Sequence, residues 1–217
     1  MSTIRSTTAD SMVTNATTGG FWNSAQGTTD GGVHNSSLAN SLFGVYTGSF
    51  GSRGSNDYRC NRSYFVFDLS SESGTVDSAT ISIYLDNLGS TINDSEKVIL
   101  VEATALDDGV EDHGNVFSSG TTWYDDISDI VSVSTTVGFH TFTMNGDGVT
   151  LIQNASDSGS VTVGLVGWIN DYHESIPSGG GEYTKIRVYY SNTFGTSYDP
   201  KMDITYAAVT ADNATFF

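Results

Sequence analysis

A strict two-residue alternation between residues 78 and 86 constrains the fold more than any other feature of the chain. On one side of an extended backbone lie three apolar residues, Ile81, Ile83 and Leu85. The intervening Ser82 and Tyr84 lie on the other side. A period of two is that of a β-strand with one buried and one polar face. The segment therefore predicts a strand whose apolar side packs on a core.

Related patterns recur along the chain between turn-rich segments. Residues 64–69 are dense in aromatic and β-branched side chains, which favour strands. Residues 97–103 include a continuous apolar run, typical of a strand whose two faces are both covered. Further strands with alternating or apolar patterns are predicted at 139–144, 160–169, 183–190 and 201–206.

The pattern changes between residues 145 and 156, where Val149, Ile152 and Gln153 have helical spacing behind the capping candidates Asn145 and Asp147. One short helix is predicted there. Roughly eight strands without βαβ alternation predict an all-β fold, a single antiparallel β-sandwich of the jelly-roll type. We expect one domain over 1–217, with a loop-rich segment 1–55 packed on a core at 58–206 and a tail at 207–217.

The charge excludes some classes of partner. Twenty-five acidic and eight basic residues give a formal net charge of −17, which disfavours binding to the phosphates of nucleic acid or anionic lipid. No segment approaches 18 consecutive apolar residues, so membrane insertion is not expected. The first eight residues lack the apolar stretch of a signal peptide, and we expect synthesis in a cytoplasm without export.

Motifs of catalysis are missing from the sequence. It has no Gly-x-Ser-x-Gly elbow, no His-Glu-x-x-His and no phosphate-binding Gly-x-x-x-x-Gly-Lys. The four histidines are scattered, and Cys60 is the only cysteine, so neither an internal disulfide nor a local thiolate metal site can form. We therefore expect a protein that is not an enzyme.

One acidic segment fits calcium, which prefers crowded carboxylate oxygens on a flexible loop. Its candidate ligands are Asp107, Asp108, Glu111 and Asp112. They lack the spacing of a complete EF-hand loop, and a solvated acidic loop is the alternative. No other cofactor is expected.

Aromatic residues near predicted loops and strand ends are candidates for binding, because such rings stack on sugars or anchor protein interfaces. These candidates are Trp22, Trp123, Tyr124, Trp168 and Tyr172. The alternative for each is packing in the core or at its rim.

Arg62 and Asp68 have the same strand parity and therefore share a face of the predicted strand. We expect them to form a structural ion pair. The alternative is that Arg62 belongs, with Arg53 and Arg59, to a patch that binds anions or carboxylates.

Four segments resemble the DNRLRE-type β-sandwich modules. They are 58–70 (YRCNRSYFVFDLS), 76–84 (VDSATISIY), 148–153 (GVTLIQ) and 198–206 (YDPKMDITY). The likeness covers about residues 58–206, and it implies the sandwich fold with its short helix and last strand.

The resemblance implies two functions. Similar sequences occur as structural proteins of tailed phages, particularly marine ones, and similar modules occur as carbohydrate-binding jelly rolls. We expect a virion structural protein, a capsid decoration or tail appendage subunit, that contacts capsid or tail proteins as a homo-oligomer and either stabilises the particle or touches the host surface. The alternative is a soluble carbohydrate-binding module that depends on calcium and binds a glycan.

Overall fold

A computed structural model describes residues 1–7, 9–17, 33–35, 44–50, 57–87, 96–104, 116–119, 122–123, 125–133, 137–173, 182–191 and 197–208. These residues form fourteen strands and one α-helix. They are β1 (Ser2–Arg5), β2 (Ser11–Thr17), β3 (Val33–Asn35), β4 (Val45–Phe50), β5 (Asp57–Asp68), β6 (Val76–Asn87), β7 (Glu96–Ala103), β8 (Phe117–Ser119), β9 (Thr122–Trp123), β10 (Val131–Val133), β11 (Gly138–Thr143), α1 (Gly146–Ser158), β12 (Ser160–Gly167), β13 (Glu182–Val188) and β14 (Lys201–Tyr206).

The strands pair antiparallel, as predicted, and all but β8 and β9 join one sheet that folds over a shared core. In one layer β5 lies at the centre, with β2 on one edge and β12, β7 and β10 on the other. In the second layer β6 lies between β11 and β14, and β1 pairs with β14. Strands β4 and β13 link the layers, since β4 pairs with β5 and β13 pairs with β6. The all-β sandwich is therefore confirmed. Its strands exceed the predicted eight because short strands form in the N-terminal segment (β1 to β4) and between β7 and β11 (β8 to β10).

The core lies between the inner faces of β5 and β6, and the predicted alternation is confirmed there. Ile81, Ile83 and Leu85 of β6 are fully buried against the same cluster as Phe65 and Phe67 of β5. Strands β7, β12, β13 and β14 add further buried side chains to it. Because burying one such side chain contributes roughly 1.5–3 kcal/mol, this apolar contact is the main stabilising term.

The predicted helix is present as α1. The side chain of Asn145 accepts a hydrogen bond from the backbone N–H of Gly148 at 2.9 Å and caps the first turn. A Cβ atom at Gly148 would lie 2.2 Å from the carbonyl oxygen of Ile127, so this close approach requires glycine. Ile152 and Ala155 pack on the core. No helix among the described residues is both long and apolar enough to cross a membrane.

The outer face of the first layer carries a second buried cluster. It includes Tyr64 of β5, Val101 of β7 and Val166 of β12. A π-helical turn, Trp168–Tyr172, follows β12 and packs the rings of its first and last residues against this cluster. Both faces of β7 are therefore covered, as its apolar run predicted.

Arg62 is fully buried on this outer face and forms a bidentate ion pair with Asp171 of the π-helical turn. Its Nε and Nη2 donate to the two carboxylate oxygens at 2.8 and 2.7 Å. Burial alone would lower the pKa of the guanidinium, but the Asp171 carboxylate raises it, and the group stays charged.

The predicted pairing of Arg62 with Asp68 is wrong. Asp68 is exposed and accepts a hydrogen bond from the backbone N–H of Ser70 at 2.9 Å. The two residues do share strand parity. Six residues of strand, however, span about 20 Å, which is farther than an arginine side chain reaches.

The N-terminal segment crosses from one layer to the other at Ser6 and Thr7. The N–H of Ser6 donates to the carbonyl oxygen of Pro200 beside β14 at 2.9 Å. The N–H of Thr7 donates to the carbonyl oxygen of Val66 in β5 at 2.7 Å. This crossing ties the two layers together along one side.

The buried carboxylate of Asp10 fixes the crossing. It accepts hydrogen bonds from the Ser6 hydroxyl at 2.6 Å and from the backbone N–H groups of Val66 at 3.1 Å and Ser191 at 3.2 Å. Loss of solvation on burial outweighs these hydrogen bonds and raises the pKa of Asp10 from 3.8 to about 6.

Replacing Asp171 with asparagine leaves the buried Arg62 charge without its counter-ion. We expect Asp171→Asn to lower the free energy of unfolding by about 3–5 kcal/mol. The matched control is Asp68→Asn, the same change at an exposed site, which should alter stability by less than about 0.5 kcal/mol. Urea unfolding followed by tryptophan fluorescence measures both. Equal effects of the two variants would contradict the assignment of the ion pair.

The raised pKa of Asp10 predicts a pH dependence of stability. The folded chain holds this proton more tightly than the unfolded chain, so the stabilisation is complete below pH 4 and is lost as the pH rises through about 6. Between these limits, the stability of the wild type relative to Asp10→Asn should fall by about 3 kcal/mol. Urea unfolding of both proteins from pH 4 to 7 tests this, and a constant difference would refute it.

Candidate functional site

The outer face of the second layer presents four aromatic rings. Strand alternation turns Tyr84 of β6 outward, and Phe139 of β11 lies directly opposite it in the antiparallel ladder. Tyr189 follows β13, and Tyr198 precedes β14. Phe139 is exposed and the three tyrosines are half-buried. We call these four residues the tyrosine face.

Tyr84 lies at the centre of the tyrosine face. Its ring centroid is 5.2 Å from that of Phe139, 4.9 Å from that of Tyr189 and 4.6 Å from that of Tyr198. The planes of these pairs are inclined by 87°, 76° and 61°, which is the edge-to-face arrangement that aromatic quadrupoles favour. The three neighbouring rings therefore pack around Tyr84 and form one aromatic cluster.

Charged side chains of both signs border the tyrosine face. The Lys201 ammonium lies 5.4 Å from the centroid of the Phe139 ring, within the range of a cation–π contact. Arg187 pairs with Asp86 at 3.2 Å across the β13–β6 ladder. On the far side, the outward-facing Thr3 of β1 donates a hydrogen bond from its hydroxyl to Asp203.

Arg5 and Asp199 complete the border. Arg5 lies opposite Lys201 in the β1–β14 ladder, and its guanidinium is 3.9 Å from the Asp199 carboxylate. Burial raises the pKa of Asp199, and the positive charge of Arg5 opposes that rise. The contacts described here involve three cationic and three anionic side chains. They are Arg5, Arg187, Lys201, Asp86, Asp199 and Asp203.

The hydroxyl of Tyr84 stays protonated at neutral pH. Loss of solvation raises its pKa, and the neighbouring Tyr198, Tyr189 and Asp86 add to the rise. The tyrosine face therefore offers apolar ring surface together with a neutral group that can donate a hydrogen bond.

Two of the aromatic residues predicted to bind lie elsewhere, on the first layer. Trp168 and Tyr172 stack on each other with centroids 5.3 Å apart, and the His173 ring lies edge-on to Trp168 at 4.0 Å. The Tyr172 hydroxyl also donates to the carboxylate of Asp126 at 3.3 Å. Both rings are partly buried in the second cluster, and they belong to the same π-helical turn as Asp171. Their binding role stays a prediction.

The other predicted site residues cannot be placed beside these rings. Trp22 and Tyr124, together with the calcium candidates Asp107, Asp108, Glu111 and Asp112, lie outside the described residues. The backbone of Trp123 pairs with Phe117 in the β8–β9 ladder. Among the described residues, no group of three or more histidine, cysteine, aspartate or glutamate side chains is placed to hold a metal ion. Calcium binding stays a prediction.

Sequence reasoning missed the tyrosine face, although part of its signal was present. The alternation of β6 placed Tyr84 on the polar side of the strand, where an aromatic ring is not needed for the core. Phe139 and Tyr189 lie within segments that were predicted to be strands. Nothing in the sequence indicated that β11 and β13 would flank β6 and bring the rings together.

Comparison of the sequence with models of known protein families and with curated proteins finds no match. The resemblance to DNRLRE-type modules therefore stays a prediction from the quoted segments. The assignment of a functional surface rests on the geometry of the tyrosine face.

Proposed function

We propose that this chain is a non-enzymatic structural subunit that works by docking its tyrosine face on another protein. The observation that carries the proposal is the cluster of four partly exposed rings, packed edge-to-face and bordered by charged side chains. Protein interfaces are enriched in tyrosine and phenylalanine, whose rings bury much area at little entropic cost. Arginine is enriched there as well.

The arrangement of the rings favours a protein partner over a sugar. Stacking on a sugar needs an open ring face, but Lys201 lies over the ring of Phe139. Tyr84 is enclosed by three neighbouring rings that meet it at steep angles. Ring edges and hydroxyl groups of this kind suit the irregular contacts of a protein surface.

The described polar residues of the interior support a role without catalysis. Arg62 and Asp171 satisfy each other in a bidentate pair, and Asp10 accepts hydrogen bonds that fasten the N-terminal crossing. Cys60 is fully buried, and burial raises the pKa of its thiol, which disfavours the reactive thiolate. The contacts of Arg62, Asp171 and Asp10 thus lie within the fold.

The finer proposal is that the chain is a virion component of a tailed phage, either a capsid decoration or a tail appendage. Its support is the resemblance of residues 58–70, 76–84, 148–153 and 198–206 to DNRLRE-type modules. A subunit that covers a particle must attach by a defined surface, and the tyrosine face is suited to that role. Capsid or tail proteins are the proposed partners.

The test is attachment to purified particles. Wild-type chain and the variant Phe139→Glu are added to particles that lack the subunit, and the bound chain is quantified by mass spectrometry. We expect the wild type to bind in a fixed ratio to a capsid or tail protein. The variant should bind about tenfold more weakly or worse, because a buried carboxylate loses its hydration at the interface.

Ile130→Glu is the matched control. Ile130 is 44% exposed and Phe139 is 43% exposed, so both variants replace an equally exposed apolar side chain with the same charge. Ile130 directly precedes β10, in the first layer. Equal attachment of the two variants would overturn the proposed surface. If a glycan array shows specific binding that Tyr84→Ala abolishes, the chain is instead a carbohydrate-binding module.

A further inference from the structure

We infer that residues 1–7 form a strap that closes over Asp10 with uptake of a proton, so that acid tightens the strap and rising pH loosens it. The inference concerns the N-terminal crossing and is independent of the tyrosine face. It is carried by the contacts that fasten the strap and by the way in which the strap encloses Asp10.

Polar contacts fasten the strap. Of residues 1–7, only Ser6 is buried, and Ile4 is half-buried at the margin of the core. The strap is held by the ladder between β1 and β14 and by hydroxyl groups, such as that of Ser2, which donates to Glu72 at 2.8 Å. A segment that buries little apolar surface opens at a lower cost in free energy than the core does. The strap can therefore detach while the sandwich stays folded.

Asp10 lies where the strap meets the rest of the sandwich, and it is 1% exposed. The Ser6 hydroxyl of the strap donates to its carboxylate at 2.6 Å, and the N–H groups of Val66 in β5 and of Ser191 after β13 donate to it as well. The Ser191 hydroxyl in turn donates to the carbonyl oxygen of Thr7 at 2.6 Å, which closes the strap over the carboxylate. Detachment of the strap therefore exposes Asp10 to water.

The charged side chains on the elements beside this crossing are Arg5 of the strap, with Asp199 and Lys201 of the segment that leads into β14. The Arg5 guanidinium is 3.9 Å from the Asp199 carboxylate, and Lys201 lies opposite Arg5 in the β1–β14 ladder. Oδ1 of Asp199 is buried and has no hydrogen-bond partner within the described part of the chain. Burial raises the pKa of Asp199, and Arg5 opposes the rise. Asp199 therefore responds to pH in the same direction as Asp10.

The direction of the pH effect follows from the two environments of Asp10. Burial under the closed strap raises the pKa of Asp10 from 3.8 to about 6, and exposure to water in the open state returns the pKa to its ordinary value. The closed state thus holds the proton more tightly. Closure is most favourable below pH 4, weakens as the pH rises from about 4 to about 6, and levels off above that. Because the two pKa values differ by about 2, the opening equilibrium changes by about a hundredfold.

Opening of the strap changes which backbone groups the protein presents. In the closed state, β1 pairs with Lys201–Ile204 of β14. Detachment of β1 leaves this edge of β14 unpaired, and an unpaired strand edge is able to pair with another chain. The pH therefore controls how often the β14 edge is available.

Amide hydrogen exchange followed by NMR tests the strap directly. The N–H groups of Ser6 and Thr7 report on it, because they donate to Pro200 and Val66 across the crossing. Their protection factors, taken relative to an unstructured chain at the same pH, should fall by about a hundredfold from pH 4 to pH 7 and level off above pH 6. In low urea, their exchange should be independent of urea, as in local opening, whereas exchange of the β6 core amides should accelerate.

Two asparagine variants identify the group that titrates. Asp10→Asn removes it, so the protection of Ser6 and Thr7 should lose most of its dependence on pH. Asp203→Asn is the matched control, because Asp203 accepts a hydrogen bond from Thr3 of the same strap, and it should retain the hundredfold dependence. Thermal unfolding at pH 4 verifies that both variants fold. If Asp10→Asn does not fold, the wild-type profile decides, through its level region above pH 6.

Three results would overturn the inference. One is protection of Ser6 and Thr7 that stays constant between pH 4 and pH 7. Another is a urea dependence equal to that of the β6 core amides, which would mean that the strap opens only when the whole chain unfolds. The third is an equal response of Asp10→Asn and Asp203→Asn to pH. Attachment to particles through the tyrosine face is a separate question, and it is decided by Phe139→Glu.

Discussion

The apolar contact between the inner faces of β5 and β6 organises the two layers of the sandwich. Each strand has twelve residues and pairs with neighbours on both edges, so each organises one layer. Because side chains alternate along a strand, burying Phe65 and Ile83 inside commits Tyr64 and Tyr84 to the outside. The two outer faces are therefore a direct consequence of the core.

The two outer faces then differ in what covers them. On the first layer, the π-helical turn covers Tyr64 and places the Asp171 carboxylate against Arg62. This carboxylate neutralises the positive charge of Arg62, which would be costly to bury alone. On the second layer, the rings around Tyr84 remain partly exposed among the described residues. Aromatic surface of this kind gains free energy when it is removed from water, and this gain is the physical basis of the proposed docking.

The periodicity of the sequence predicted the local structure well. It identified the inward residues Ile81 and Ile83, the doubly covered strand β7 and the helix α1, because each of these is encoded by neighbours in the chain. It could not predict partners that are distant in sequence. Arg62 and Asp171 are 109 residues apart, and parity alone suggested the wrong carboxylate. The contact between Tyr84 and Phe139 could not be predicted either. It depends on the register of the β11–β6 ladder, which is set by the whole sheet.

The most direct test of the tyrosine face as a contact surface is hydroxyl-radical footprinting, read by mass spectrometry. The isolated chain is compared with the chain bound to purified particles. Binding should protect the side chains of Tyr84, Phe139 and Tyr198 from oxidation, because their rings leave water. Oxidation of Trp168 and Tyr172, on the opposite layer, should remain the same in both states. Unchanged oxidation of Phe139 alongside protection of Trp168 would contradict the account.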